Sequence, residues 1–139
     1  MKPILLDTGV IVALLDRRER YHNQCVAVVD RLERPLVTCE AVIAESCYLL
    51  RELPGAPETV VENVERNVFQ IPFQLSQSAA AVRIILRKYR DLPAAFADAC
   101  LIYPADQFST ADILTLDQDF NTYRWRRTRP FHLLVALER

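Results

Sequence analysis

Four carboxylates occupy positions where the pattern of this chain favours apolar side chains. Asp7 interrupts the run Ile4-Leu5-Leu6-Asp7-Thr8-Gly9-Val10-Ile11-Val12, and Asp117 ends Ile113-Leu114-Thr115-Leu116. Asp98 falls mid-stripe on an expected helix, with Ala94, Ala95, Leu101 and Ile102 three and four residues away. Glu45 shares its expected helix face with Ala41, Val42 and Leu49. An isolated buried carboxylate costs several kcal/mol unless it is paired, protonated or bound to metal. Taken singly, each acid has a structural alternative: a turn or cap for Asp7 and Asp117, a cap or a buried arginine for Glu45 and Asp98. Four of them on four elements point instead to one converging acidic site.

Carboxylates that converge without His or Cys partners favour a hard, oxygen-preferring ion, Mg2+ or Mn2+. Such an ion offsets the mutual repulsion of the acids, and a phosphodiester is its natural substrate. Four acids suffice for one ion or two. Other chemistries fit less well. His22 and His132 have no spacing that brings them together. Ser46 and Ser109 lack the glycines of a nucleophile elbow, and a chain with 2 glycines has no phosphate-cradling loop. An aspartyl-phosphate enzyme built on Asp7 would want a second acid where Gly9 stands, and a lysine in reach.

The elements that must position these acids follow from short apolar runs alternating with helical periodicity, the signature of an α/β domain with a central parallel sheet. Strands are expected at 2–6, 36–38, 68–71, 113–115 and 131–135. Helices are expected from Thr8-Gly9 to about Asp16, over 22–34, over 40–52 and over 58–67. Two more should run from a Ser76 cap through Tyr89, with Ala79, Val82, Ile85, Leu86 and Tyr89 inward, and from Pro93 to about Pro104. Pro104 should end that last helix early. Asp7 and Asp117 each follow a parallel strand, so both should emerge at the carboxyl edge of the sheet, where open α/β sheets bind ligands.

The chain has 139 residues, 51% of them apolar, which suits one domain over 1–139 of about five parallel strands with helices on both faces. No apolar run approaches the roughly 18–20 residues that span a bilayer, and the N-terminus lacks a secretory pattern. A cytoplasmic protein without membrane contact is expected. Cys25, Cys39, Cys47 and Cys100 form no Cys-x-x-Cys pair and read as reduced core cysteines. Net charge is −1, so no global basic field advertises nucleic acid. Locally, Arg124-Trp125-Arg126-Arg127-Thr128-Arg129 is basic, and Tyr123 and Trp125 between arginines could stack on bases. Arg124, Trp125 and Arg126 are therefore candidate RNA contacts, set against a simple solvated loop.

Four segments in order carry a family resemblance: Leu5-Leu6-Asp7-Thr8-Gly9-Val10-Ile11-Val12-Ala13-Leu14-Leu15-Asp16, Val42-Ile43-Ala44-Glu45, Phe96-Ala97-Asp98-Ala99, and Leu114-Thr115-Leu116-Asp117-Gln118-Asp119-Phe120. Their order and spacing resemble the successive motifs of PIN-domain proteins, and the short chain is most similar to the toxins of VapBC-type toxin–antitoxin pairs. The resemblance implies a metal-dependent endoribonuclease with Asp7, Glu45, Asp98 and Asp117 as catalytic metal-binding acids and Thr8 and Thr115 as hydrogen-bond partners behind them. Asp119 would assist or cap the next turn. It also implies an RNA substrate, inhibition by a small antitoxin that fills the acidic crevice, and a homodimer through the helices of 40–67. The alternatives are a catalytically inactive module of the same fold that binds RNA or protein, and a metal-dependent DNA nuclease. Intact acids oppose the first, and the lack of added DNA-binding elements opposes the second.

Overall fold

The computed structural model describes residues 1–92 and 95–137. The chain opens with β1 (Ile4–Leu6), α1 (Thr8–Leu15) and α2 (His22–Asp30). They are followed by β2 (Leu36–Val37), α3 (Glu40–Leu49), α4 (Ala56–Glu65) and β3 (Phe69–Gln70). The chain continues through α5 (Leu75–Lys88), α6 (Phe96–Phe108), β4 (Asp112–Leu114), β5 (Arg124–Trp125), β6 (Arg129–Pro130) and β7 (His132–Leu133). A 3-10 turn over Gln118–Asn121 links β4 to β5.

Five strands make one wholly parallel sheet in the order β3-β2-β1-β4-β7. The central strands are continuous apolar runs because both faces of the sheet are covered: Ile4, Leu5, Leu6, Ile113 and Leu114 are fully buried. Each such side chain contributes about 1.5–3 kcal/mol by leaving water. The chain steps from β1 outward to β2 and β3, then returns across the sheet to β4. Right-handed crossovers therefore place α1 to α4 on one face and α5 and α6 on the other. The change of direction between β1 and β4 is the topological switch point, with register Leu6 to Leu114.

Local differences from the sequence pattern have physical causes. Pro104 does not end α6; it is buried inside the helix, which runs on to Phe108. Proline in a helix interior costs about 3 kcal/mol. Here Leu101, Ile102 and Ala105 are buried around it, and their packing outweighs the lost backbone bond. The helix stops instead at Ser109, in the left-handed region at φ 53, where the Thr110 N–H donates to the Ala105 carbonyl at 3.1 Å. Ser76 does not cap α5: the cap position is Gln74, and Ser76 and Ala79 are exposed while Val82 and Ile85 face inward. The expected helix start at Pro93 and the position of Ala94 lie outside the described residues. Gly55 precedes α4 at φ 79, a backbone conformation that favours glycine, and Pro57 then sits in the first turn. The strand expected at 131–135 is shorter, His132–Leu133, and pairs with β4 at the sheet edge.

Candidate metal centre

Asp7 leaves the end of β1 and caps α1: its Oδ1 accepts the Thr8 N–H at 2.8 Å. The Asp7 N–H donates to the Leu114 carbonyl at 3.0 Å, which ties this acid to the end of β4. One residue beyond β4, the buried Thr115 hydroxyl donates to Asp7 Oδ2 at 2.7 Å and accepts the Asp117 N–H at 3.0 Å. Asp117 in turn caps the 3-10 turn, its Oδ1 accepting the Asp119 N–H at 2.9 Å. The third acid comes from the opposite face of the sheet. Asp98 lies in the first turn of α6, and its Oδ2 accepts the Tyr123 hydroxyl at 3.0 Å.

One carboxylate oxygen from each of Asp7, Asp98 and Asp117 lies within 4.8 Å of the other two. Asp7 and Asp98 are 7% and 9% exposed, and Asp117 is half-buried. Burial raises the Asp7 pKa above its usual 3.8, against the hydrogen bonds from Thr115 and Thr8 and with help from the charges of Asp117 and Glu45. Asp98 is pushed up to about 7, first by burial and then by the Asp7 charge. The Tyr123 phenol is raised by burial and by the Asp98 charge, so it stays a donor. Among the described residues no lysine or arginine forms an ion pair with any of the three acids.

This arrangement fits a hard divalent cation. The donor set is oxygen only, the like charges lack a protein cation, and Thr8 Oγ1 is buried with no hydrogen-bond partner. Histidine chemistry is remote from it: His22 Nδ1 contacts the Ala13 carbonyl at 2.6 Å, and His132 Nδ1 contacts Asp112 at the start of β4.

The other candidates are placed differently. Glu45 is exposed rather than on an inward face, because α3 buries Val42, Ser46 and Leu50 and leaves Leu49 54% exposed. It stands outside the group of three, although its charge still raises Asp7 and Asp98. Thr8 supports Asp7 through its backbone N–H, not its hydroxyl. Asp119 is exposed and donates its own N–H to Asp117, so the cap is Asp117. Trp125 and Tyr123 are 5% and 1% exposed, so neither offers a face to a base. Arg124 is half-buried, with Nη1 donating to the carbonyls of Asn121, Thr122 and Tyr123 at 2.8–3.2 Å. Arg126 is exposed, and its guanidinium hydrogen bonds to Ser109. The partner of Asp98 that the sequence reading missed is Tyr123. Its signal was present: Tyr123, Arg124, Trp125 and Arg126 alternate as a strand with one buried face does.

A parallel α/β sheet with clustered carboxylates at its switch point defines the class, a domain with an acidic crevice whose oxygen donors fit a hard cation. A model of the PIN domain matches residues 4–125, and the chain belongs to that family. No curated protein matches its sequence. In fold it is similar to Mycobacterium tuberculosis VapC20, described as a sarcin-ricin loop cleaving toxin. The two share 17% identity with a TM-score of 0.79, over 91% of this chain and 99% of that one.

Proposed function

We propose that this protein is a Mg2+- or Mn2+-dependent endoribonuclease and the toxin of a type II toxin–antitoxin pair. The observation that carries the reading is the convergence of Asp7, Asp98 and Asp117 from three elements onto one point. A scaffold alone gains nothing from holding three like charges together in a partly buried crevice. Membership of the PIN family supports nuclease chemistry, and the likeness to a toxin that cleaves the sarcin-ricin loop favours RNA over DNA.

Asp7, Asp98 and Asp117 would hold the cation, with Glu45 at the exposed mouth of the crevice as a fourth acid. When bound, a hard divalent cation neutralises phosphate charge and makes an attacking water more acidic. Thr115 fixes the Asp7 carboxylate and the Asp117 backbone together, so two ligands keep one geometry. Tyr123 orients Asp98 by donating to Oδ2. Asp98, pushed up to about 7 while no cation is bound, would ionise as the cation enters, so binding of the metal would release a proton there.

The same reading makes the acidic crevice the place where a small antitoxin docks a basic side chain. It also makes residues 1–139 a single nuclease domain that works in the cytoplasm as a homodimer. The α3–α4 hairpin suits that interface, since Tyr48, Leu49 and Val61 are exposed there. No helix among the described residues is long and apolar enough to cross a membrane.

The test is cleavage of mixed RNA, and of DNA of matching sequence, in Mg2+ or Mn2+ and in EDTA, beside an Asp98→Asn variant. Cleavage of RNA that requires metal and disappears in the variant is the expected result. Cleavage that survives EDTA overturns the metal mechanism, and equal cleavage of DNA overturns the substrate assignment.

A further inference from the structure

A net charge of −1 conceals a strongly basic corner. Lys88 ends α5, and Arg124, Arg126, Arg127 and Arg129 all lie on the β5–β6 hairpin. Among the described residues none of these five makes an ion pair with a carboxylate. The nearby Asp106 instead accepts the backbone N–H of Arg126 at 2.5 Å. Four of the five cations, all but Arg127, make a side-chain contact with a backbone carbonyl or an aromatic ring. Arg124 caps the 3-10 turn, while Arg126 and Arg129 flank the Trp125 ring at 5.6 and 5.2 Å. Lys88 Nζ lies 5.1 Å from the Tyr89 ring and donates to the Arg127 carbonyl at 2.8 Å, which holds its charge beside the hairpin tip. Lys88 and Arg127 line a cavity of about 210 Å3 together with Tyr89, Asp106 and Arg124.

The backbone at the hairpin tip adds a second observation. Arg126 and Arg127 both lie in the left-handed region, at φ 44 and φ 70. Glycine or asparagine adopts that conformation at lower cost, and a tip selected for stability alone would carry one of them. Two consecutive arginines there sacrifice backbone comfort for charge. The tip also lies beyond the part of the chain that the PIN model matches, which ends at residue 125.

We infer that Lys88 and Arg127 form an accessory site for an RNA phosphate, separate from the acidic centre. The inference rests on the ribonuclease reading above. Asp98 and Asp106 are eight residues apart on α6, about 12 Å at 1.5 Å per residue. That offset corresponds to roughly three or four phosphates of a stacked strand at about 3.4 Å each. Tyr123 connects the two places: its hydroxyl reaches Asp98, and its ring packs 4.9 Å from Tyr89, which neighbours Lys88. A strand gripped at the basic corner would bring a phosphodiester several nucleotides away towards the acids, and so the corner acts in positioning and not in the reaction itself.

The experiment measures binding of a fluorescein-labelled 12-nucleotide single-stranded RNA to the full chain by anisotropy, in EDTA, from 50 to 300 mM KCl. EDTA separates the two readings, because binding is scored without hydrolysis; loss of the nuclease reading would show as absent cleavage in metal with this binding intact. The variant is Lys88→Gln with Arg127→Asn, since asparagine suits the left-handed position, and Arg66→Gln on α4 is the control. Losing two phosphate contacts should lower the slope of log K against log salt by about 1.4 and weaken binding roughly 25-fold at 0.1 M. Thermal stability should be retained or raised, and the control should behave as the parent. A folded double variant with unchanged affinity and slope overturns the site. So does an Arg66→Gln loss as large as that of the double variant, which would reduce the effect to net charge.

Discussion

Replacing Asp98 by Asn should remove activity and yet make the metal-free protein more stable above neutral pH. The reason lies in the crevice. Asp98 titrates near 7 instead of 3.8, because burial and the neighbouring Asp7 charge disfavour its ionised form. About three powers of ten in acidity, at about 1.4 kcal/mol each, give about 4 kcal/mol of unfavourable ionisation in the fold. The sign follows from proton counting. Between pH 4 and 7 the folded state binds more protons at this position than the unfolded chain, so stability falls as pH rises through that window. Asparagine cannot ionise, so the variant should track the parent near pH 4 and exceed it by up to about 4 kcal/mol at pH 8. For a chain of this size that is a rise in Tm of roughly 2–4 °C per kcal/mol. Thermal unfolding of both proteins in EDTA at pH 4, 6 and 8 measures it. Adding Mg2+ should then raise the parent at pH 8 and leave the variant nearly unmoved. A gap that is the same at every pH, or a variant less stable than the parent at pH 8, would refute the electrostatic account of the site.

The groups behind the acids give further tests. Thr115→Val keeps shape but removes the donor to Asp7, in buried surroundings, and the acceptor of the half-buried Asp117 N–H. Titration calorimetry with Mn2+ should show affinity lowered about 10–100-fold, with about 1–3 kcal/mol lost in urea unfolding; unchanged affinity would remove Thr115 from the site. Tyr123→Phe keeps the edge-on packing against Tyr89 and Phe120 but deletes the bond that lowers the Asp98 pKa. The Asp98 carboxyl resonance should therefore titrate above its parent midpoint, and a lower midpoint would contradict the assignment of that hydrogen bond.

Asp7, Asp98 and Asp117 were readable from sequence because each breaks an apolar run that the sheet or α6 had to bury. Carbon-rich surroundings leave a carboxylate few bland explanations. The parallel sheet was readable for the same reason, since β1 and the Ile113-Leu114 part of β4 are covered on both faces and so are apolar. Glu45 shows where that logic fails. Its neighbours Ala41, Val42 and Leu49 suggest an inward face, but helix α3 turns Val42, Ser46 and Leu50 towards the core. Which stripe of a short helix faces inward depends on its contacts with α1 and α4, not on hydropathy alone. Pro104 failed differently: a local preference of about 3 kcal/mol yielded to the packing of a helix buried on several sides. The basic segment was misread at the level of period. Residues 123 to 126 alternate aromatic and arginine, and stacking on bases was one explanation of exposed aromatics. A strand with one buried face explains the same alternation with less, and it sends Tyr123 inward to Asp98 and leaves Arg126 in solvent. Tyr123 thus supports the acid site from behind, and the proposed phosphate contacts are the exposed Lys88 and Arg127 instead. Period-two alternation should therefore be tested against burial before an aromatic is assigned to a ligand.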